Sequence, residues 1–139
     1  MMRISESSSA SADRLWRYLR DVEHWGDHLP TFQSVRHVGG PTPTNVGSCF
    51  EVRQPGLAKA VYEITRWEPE HGFTWVGRVP GVRTTGIHDI ESDGDGHRIL
   101  LGIEWSGPLA WVLRPLLSGK ARRMMQSEGE TIARLAEQD

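Results

Sequence analysis

Two polar side chains in predicted strands could do chemistry inside an apolar pocket. His88 lies in the segment 83–91, and an imidazole can exchange a proton near neutral pH or orient a ligand carbonyl. Tyr62 lies in the segment 59–67, and its phenol could hold a ligand oxygen. Each also has a purely structural interpretation. His88 could be a buried histidine that forms a hydrogen bond with a neighbouring group, and Tyr62 could be a core residue with its hydroxyl at the rim. His88 and Tyr62 are therefore candidate catalytic residues, and the catalytic set itself stays unknown.

Other patterns that could do chemistry are incomplete. His24 and His28 have the spacing of two metal ligands on a helix, but Trp25 stands where a metalloprotease motif has glutamate, and no third ligand is evident. The stretch Asp93–Gly96 is typical of a hairpin turn and lacks the ligand pattern of a calcium loop. Cys49 has no adjacent base that would make it a nucleophile. The sequence therefore predicts no metal site and no cofactor.

The bulk composition predicts one globular domain over residues 1–139. Apolar residues make up 37% and charged residues 24% of the 139-residue chain, and the net charge is −2. That charge gives no basic field for nucleic acid. The N-terminus lacks the apolar core segment of a signal peptide. The apolar segment from Leu109 to Leu117 is interrupted by Arg114 and is too short to span a bilayer. We expect a cytoplasmic protein without stable membrane insertion, as a monomer or homodimer.

The elements that would position these residues begin with a strand over 2–8 and a helix that Ser11 caps, with Leu15, Leu19 and Val22 on one face. A second short helix or turn covers 23–28. A meander of antiparallel strands follows, because glycine and proline turns separate short apolar segments. The predicted strands are 31–38, 47–54, 59–67, 73–79, 83–91 and 97–106.

One long helix is predicted over 108–137, with Pro108 in its first turn and Pro115 as a kink. Its first half is apolar on all sides, so we expect that half to cover the mouth of the curved sheet. The second half is amphipathic, with Ala121, Met125, Ile132 and Leu135 on one face. No other element is long enough to cover the sheet. The basic residues of this helix are interpreted as a solvated face, or as an attraction for an anionic ligand or membrane, and are Arg114, Lys120, Arg122 and Arg123.

Turn lengths predict which strand residues face inward, because directly opposed residues share a face. The turn at Asp93–Gly96 places His88 opposite Leu101, and Arg66 also falls on the inward parity with its charged head in water at the strand end. The inward set is an apolar lining with a phenol, an imidazole and a hydroxyl, which is typical of a small-molecule pocket. The predicted ligand-binding residues are Phe50, Tyr62, Ile64, Phe73, Trp75, Thr84, His88, Leu101, Ile103, Trp105, Leu113 and Leu117, with Trp111 as an alternative to Leu113 and with Val52 and Met124 beside them.

Three stretches carry a resemblance to a known family: SADRLWRYLRDVEHWGDHLPTF, WEPEHGFTW and DGDGHRILLGIEWSGPLAWVLRPLL. They resemble the opening helices, the fourth-to-fifth strand turn and the last hairpin of the SRPBCC (START-like, helix-grip) superfamily, in its polyketide cyclase/dehydrase-like branch. The resemblance spans nearly the whole chain. The serine-rich first strand departs from the family's alternating apolar pattern. No family catalytic set transfers by position, and fold does not fix function.

The resemblance implies an α+β helix-grip fold: a curved antiparallel sheet of about seven strands, two short N-terminal helices and a long C-terminal helix enclosing a cavity. It implies binding or carriage of a small hydrophobic or aromatic molecule there. An alternative is a cyclase/dehydratase-type enzyme that uses His88 and Tyr62 on a polyketide-like substrate, so enzymatic activity is left open. A weaker alternative is a protein-partner module, which would depend on exposed apolar residues of the first helices.

Overall fold

The computed structural model describes residues 1–138, so only residue 139 of the predicted domain lies outside the described residues. Seven antiparallel strands form one sheet in the order β1-β7-β6-β5-β4-β3-β2, and the chain adds two short N-terminal helices and one long C-terminal helix. The predicted helix-grip architecture is confirmed. The elements are β1 (Met2–Ser8), α1 (Ala12–Leu19), a 3₁₀ turn (Val22–His24), α2 (Trp25–His28), β2 (Ser34–Gly39), β3 (Cys49–Arg53), β4 (Ala60–Glu68), β5 (Gly72–Val79), β6 (Val82–Asp93), β7 (Gly96–Ser106) and α3 (Ala110–Gln138).

Tight turns hold the strands in the predicted register. Gly81 and Gly94 have φ values of 84° and 62°, which residues with a side chain rarely adopt, and each sits in a two-residue connection. His88 pairs with Leu101 as predicted, and Phe73 pairs with His88 on the adjacent strand. The aromatic residues of β5 and the imidazole of β6 therefore share the concave face.

The predicted inward parity of Arg66 is wrong. A register shift between Ile64 and Arg66 places Ile64 opposite Trp75 but Arg66 opposite Thr74. The extra residue of a bulge turns the following side chain to the other face. Arg66 therefore donates a hydrogen bond to the Thr74 hydroxyl and forms an ion pair with Asp89 away from the concave face.

The N-terminal helices cover part of the concave face, so the expectation that only the last helix covers it is wrong. Ser11 caps α1 by accepting a hydrogen bond from the Arg14 backbone N–H at 3.3 Å. The helix then buries Leu15, and α2 inserts Trp25 against the sheet. The Trp25 ring lies 5.9 Å from the Phe73 ring, and its N–H donates to the Tyr18 carbonyl at 3.0 Å.

The two halves of α3 pack differently. The second half lies on β1 and β7 and buries Met125 and Ile132, which confirms the predicted amphipathic face. The first half contradicts the expectation of burial on all sides, because Trp111 and Leu116 are 72% and 70% exposed. Pro115 lies within the helix, where it has no N–H to donate to the preceding turn. Among residues 110–120 of α3, only Ala110 is buried.

Candidate functional site

A cavity of about 240 Å³ lies between the concave face of the sheet and α3. Its walls are mostly aromatic and aliphatic, with a few polar groups spread among them. Strands β3 to β7 form the floor, and α3 forms the roof. The lining residues are Phe32, Val52, Gln54, Leu57, Ala58, Ala60, Tyr62, Trp75, Val79, Val82, Thr84, Gly86, Ile87, His88, Leu101, Gly102, Ile103, Trp105, Leu113, Leu117, Lys120, Ala121, Met124, Met125 and Glu128.

Most of the residues predicted to contact a ligand line this cavity, but three of the predicted residues lie elsewhere. Phe50, Ile64 and Phe73 face inward as expected but are fully buried in the packed core beside the cavity. Trp111, the alternative to Leu113, points into solvent. The predicted residues along the cavity wall are Tyr62, Trp75, Thr84, His88, Leu101, Ile103, Trp105, Leu113 and Leu117, with Val52 and Met124 beside them.

Two glycines make room for the aromatic rings of the cavity floor. A side-chain carbon built on Gly86 would lie 2.7 Å from the Trp75 ring nitrogen, and one built on Gly77 would lie 3.0 Å from the Tyr62 ring. The rings of Tyr62 and Trp75 lie 4.9 Å apart at a tilt of 32°. Each ring thus lies across the glycine of the neighbouring strand, and the two together form an aromatic floor.

His88 lies at the border between the cavity and the aromatic core. Its ring stacks on Phe73 at 4.3 Å and meets Trp25 and Trp75 at 5.4 Å each. Burial lowers the pKa of His88 to about 3, and its Nδ1 has no hydrogen-bond partner among residues 1–138. Near neutral pH this imidazole is therefore uncharged, which limits it to hydrogen bonding or to accepting a proton weakly.

The sequence interpretation missed Glu128, a carboxyl group on the cavity side of α3. The residue is only 9% exposed, and burial raises its pKa to about 8. No hydrogen bond or ion pair reaches its carboxyl group from residues 1–138. Burial, and then the nearby Glu128 charge, raise the pKa of Tyr62. The missed signal is helical spacing, since Leu117, Ala121 and Met124 precede Glu128 on one stripe of α3.

The mouth of the cavity lies between α3 and the connection from β3 to β4. The connection contributes Gln54 and Leu57, and the helix contributes Leu117 and Lys120. A side-chain carbon on Gly56 would collide with the Lys120 Nζ, so the lysine side chain crosses the gap to this turn. Lys120 therefore does not belong to the solvated basic face of the helix. Arg122 and Arg123 of that face are exposed, as predicted.

The remaining candidate residues lie apart from the cavity. His24 is exposed and its Nδ1 lies 2.6 Å from an Asp21 oxygen, while His28 packs edge-on against Tyr18. Cys49 is a free cysteine whose thiol lies 3.5 Å from the Gly47 carbonyl oxygen. Within residues 1–138, no group of three histidine, cysteine or acidic side chains is arranged to hold a metal ion. None of the helices in that range combines the length and apolar content needed to cross a bilayer.

The sequence matches, over residues 1–137, the family described as polyketide cyclase / dehydrase and lipid transport. The chain belongs to this family, as the resemblance of its motifs indicated. The family description joins catalytic proteins and carriers. A search among curated proteins found no significant match by sequence.

Solved structures share the fold at low sequence identity. The Zhui aromatase/cyclase from Streptomyces aligns with a TM-score of 0.80 and 15% identity over 98% of this chain and 92% of its own. A point mutant of norcoclaurine synthase from Thalictrum flavum, in complex with a transition-state analogue, aligns at 0.73 and 20% over 97% and 92%. Ara h 8.0201 aligns at 0.70 and 13% over 99% and 97%. At these identities the likeness concerns the fold alone.

Proposed function

We propose that this member of the polyketide cyclase / dehydrase and lipid transport family binds a small hydrophobic or aromatic molecule between its sheet and α3. The observation that supports the proposal is the cavity of about 240 Å³ between the sheet and α3. Its apolar walls with a few polar groups are typical of ligand sites. Apolar transfer from water would supply the affinity, at roughly 25 cal/mol per Å² buried.

The entry route supports a role as a carrier. The half of α3 over the mouth buries only Ala110 among residues 110–120, and Lys120 crosses from it to the turn at Gly56. An element with few buried contacts can open at low cost in free energy. A ligand can therefore enter without disruption of the aromatic core.

A second candidate function is an enzyme of the cyclase/dehydratase type that acts on a polyketide-like substrate. The polar groups of Tyr62 and Glu128 face one cavity from opposite walls, and Glu128 holds its proton near neutral pH. Such a group can act as a general acid. Tyr62→Phe separates the two functions, because an enzyme loses turnover by roughly 10²-fold or more with binding kept, whereas a carrier loses a small part of its affinity.

Nothing in the structure favours the protein-partner module. That hypothesis depends on exposed apolar residues of the first helices. Leu15, Trp16 and Leu19 of α1 and Trp25 of α2 are instead buried. Large exposed apolar side chains lie elsewhere in residues 1–138.

The carrier proposal is tested by mass spectrometry of small molecules released from the freshly purified protein. The variant Leu117→Trp fills the cavity, and Leu116→Trp is its matched control because Leu116 points into solvent on the same helix. We expect a specific apolar molecule with the wild-type protein and with Leu116→Trp, and its loss with Leu117→Trp. Equal recovery from all three proteins would show that the molecule binds elsewhere and would refute the proposal.

A further inference from the structure

The cavity contains an acidic group without a partner. Glu128 of α3 is nine-tenths buried and lines the cavity, and no donor or cation from residues 1–138 reaches its carboxyl group. A polar group that loses hydration in an apolar cavity and gains no hydrogen bond there costs free energy. An apolar side chain in the same place would avoid that cost, so the group is suited to a partner that the chain itself does not supply.

We propose that the ligand carries a neutral oxygen acceptor, such as a ketone carbonyl, and that the protonated carboxyl group of Glu128 donates a hydrogen bond to it. The inference rests on the proposed binding function and adds the chemical class of the ligand. The rest of the ligand is apolar, because the side chains that line the same cavity are mostly apolar and include Leu101, Ile103, Trp75 and Met125. A carbonyl group on an apolar or aromatic skeleton would match the cavity.

The surroundings of Glu128 favour its neutral form. The titratable groups that share the cavity are Tyr62 on β4, His88 on β6 and Lys120 on α3 itself, whose Nζ lies at the mouth near Gly56. Burial alone raises the pKa of Glu128 to about 8, so at pH 7 it carries a proton that it can donate. None of the other charges on elements packed against α3 contributes to this shift, namely Arg3 and Glu6 on β1, Asp13, Arg14 and Arg17 on α1, and His97, Arg98 and Glu104 on β7.

A cationic ligand is the competing class for a buried carboxyl group. An ammonium group would have to displace the Glu128 proton and lose its own hydration, and both charges would then lie in an apolar cavity. A carbonyl group loses much less hydration. The two classes predict opposite pH dependences, since a hydrogen bond from the acid weakens as Glu128 ionises, whereas an ion pair strengthens.

Three probes of similar shape distinguish these outcomes by calorimetric titration. They are 2-acetylnaphthalene as the ketone, 2-isopropenylnaphthalene as the hydrocarbon of the same shape, and 1-(2-naphthyl)ethylamine as the cation. The hydrocarbon reports the proposed binding function alone. The ketone-to-hydrocarbon affinity ratio reports the hydrogen bond from Glu128.

For the wild-type protein at pH 7, we expect the ketone to bind roughly three- to tenfold more tightly than the hydrocarbon, the net value of one hydrogen bond. The ratio should fall towards one or below by pH 9, where the carboxyl group has lost its proton. Glu128→Leu should abolish the preference at every pH. Glu128→Gln should keep a preference that no longer depends on pH, because its amide N–H also donates.

Glu130→Gln is the control, because Glu130 is an exposed acidic residue one half-turn away, and it should behave as the wild type. Binding of the hydrocarbon without a preference for the ketone would overturn the inference and leave the carrier proposal standing. A preference for the amine that grows with pH would also overturn it. Failure of all three probes to bind would overturn both proposals.

Discussion

The two ends of the concave face use the same residue types for opposite purposes. At the closed end, under the N-terminal helices, Trp25, Phe73 and Trp67 pack ring against ring at 5.4–5.9 Å. At the other end, under the first half of α3, Trp75 and Trp105 face a cavity of about 240 Å³. Both ends contain tryptophan, so residue type does not distinguish the packed end from the cavity end. The difference comes from the covering elements.

The covering elements differ in how many side chains they insert into the sheet. The short helices α1 and α2 insert Trp16 and Trp25, which fill the space above β4 and β5. The first half of α3 turns Trp111 into solvent. The tryptophan side chains of the covering helices are thus buried at the closed end and exposed at the other end. This difference separates a packed core, which stabilises the fold, from a space that can accept a ligand.

Phe73→Ala should have the largest effect on this comparison. Phe73 is fully buried at the closed end, so its truncation should lower the free energy of unfolding by about 3–5 kcal/mol. Urea unfolding followed by tryptophan fluorescence measures this. Val79→Ala, at an exposed position of the cavity end, should change it by less than about 0.5 kcal/mol. Similar losses for both variants would mean that the two ends are equally packed.

Glu128→Gln should stabilise the protein in a manner that depends on pH. The folded-state pKa of Glu128 is raised from 4.5 to about 8, so its contribution to stability is fully present below pH 4.5 and is lost as the pH rises towards 8. The variant lacks this loss. At pH 8 the stability difference between the variant and the wild type should have grown by an amount on the order of 4 kcal/mol relative to pH 4, since a shift from 4.5 to about 8 is worth about 1.4 kcal/mol per pKa unit.

Thermal unfolding of wild type, Glu128→Gln and Glu130→Gln at several pH values between 5 and 8 measures this effect. The exposed Glu130 serves as the reference and should show no trend. A constant difference between the wild type and Glu128→Gln across the range would contradict a buried carboxyl group at the cavity end.

Gly86→Ala should have a moderate effect confined to the cavity floor. Its new methyl group would meet the Trp75 ring nitrogen at 2.7 Å and push the indole towards the cavity. Overpacking of this kind costs about 1–3 kcal/mol. Gly102→Ala is a matched control on the next strand, because its nearest atom would lie at 3.5 Å. Equal unfolding midpoints for both variants would show that the indole does not lie over Gly86.

Trp111→Ala should have the smallest effect. The side chain is 72% exposed, so we expect a change below about 0.5 kcal/mol in the free energy of unfolding and unchanged binding of a hydrophobic probe. Denaturation and probe titration on the same preparation would measure both. A loss of more than 2 kcal/mol would mean that the first half of α3 is packed as tightly as the second.

Sequence alone predicted the sheet well because its turns are short. A two-residue connection such as Gly94-Asp95 leaves little freedom of register, so the pairing of His88 with Leu101 follows from the turn at Asp93–Gly96. The bulge before Arg66 could not be counted, since nothing in its residue types marks the extra position. An error of one residue there places the following side chain on the wrong face of the sheet.

The site was predicted less completely because residue type alone is ambiguous at an apolar surface. The apolar first half of α3 is predicted to be buried, yet Trp111 and Leu116 lie in solvent. Glu128 is absent from the predicted ligand-binding residues, yet it lies in the cavity. Helical spacing places Glu128 on the stripe of Met124 and Ala121. That spacing predicts a position in the cavity, although the charge of the residue favours solvent.

The pairing of the first strand with the last has a consequence for synthesis of the chain. The Ser8 hydroxyl donates to a Glu137 oxygen at 3.1 Å across a sequence separation of 129 residues, and β1 pairs with β7. Contacts between such distant residues slow folding. During translation β1 has no partner until β7 leaves the ribosome, so its apolar residues and backbone are available to chaperones for nearly the whole of that time.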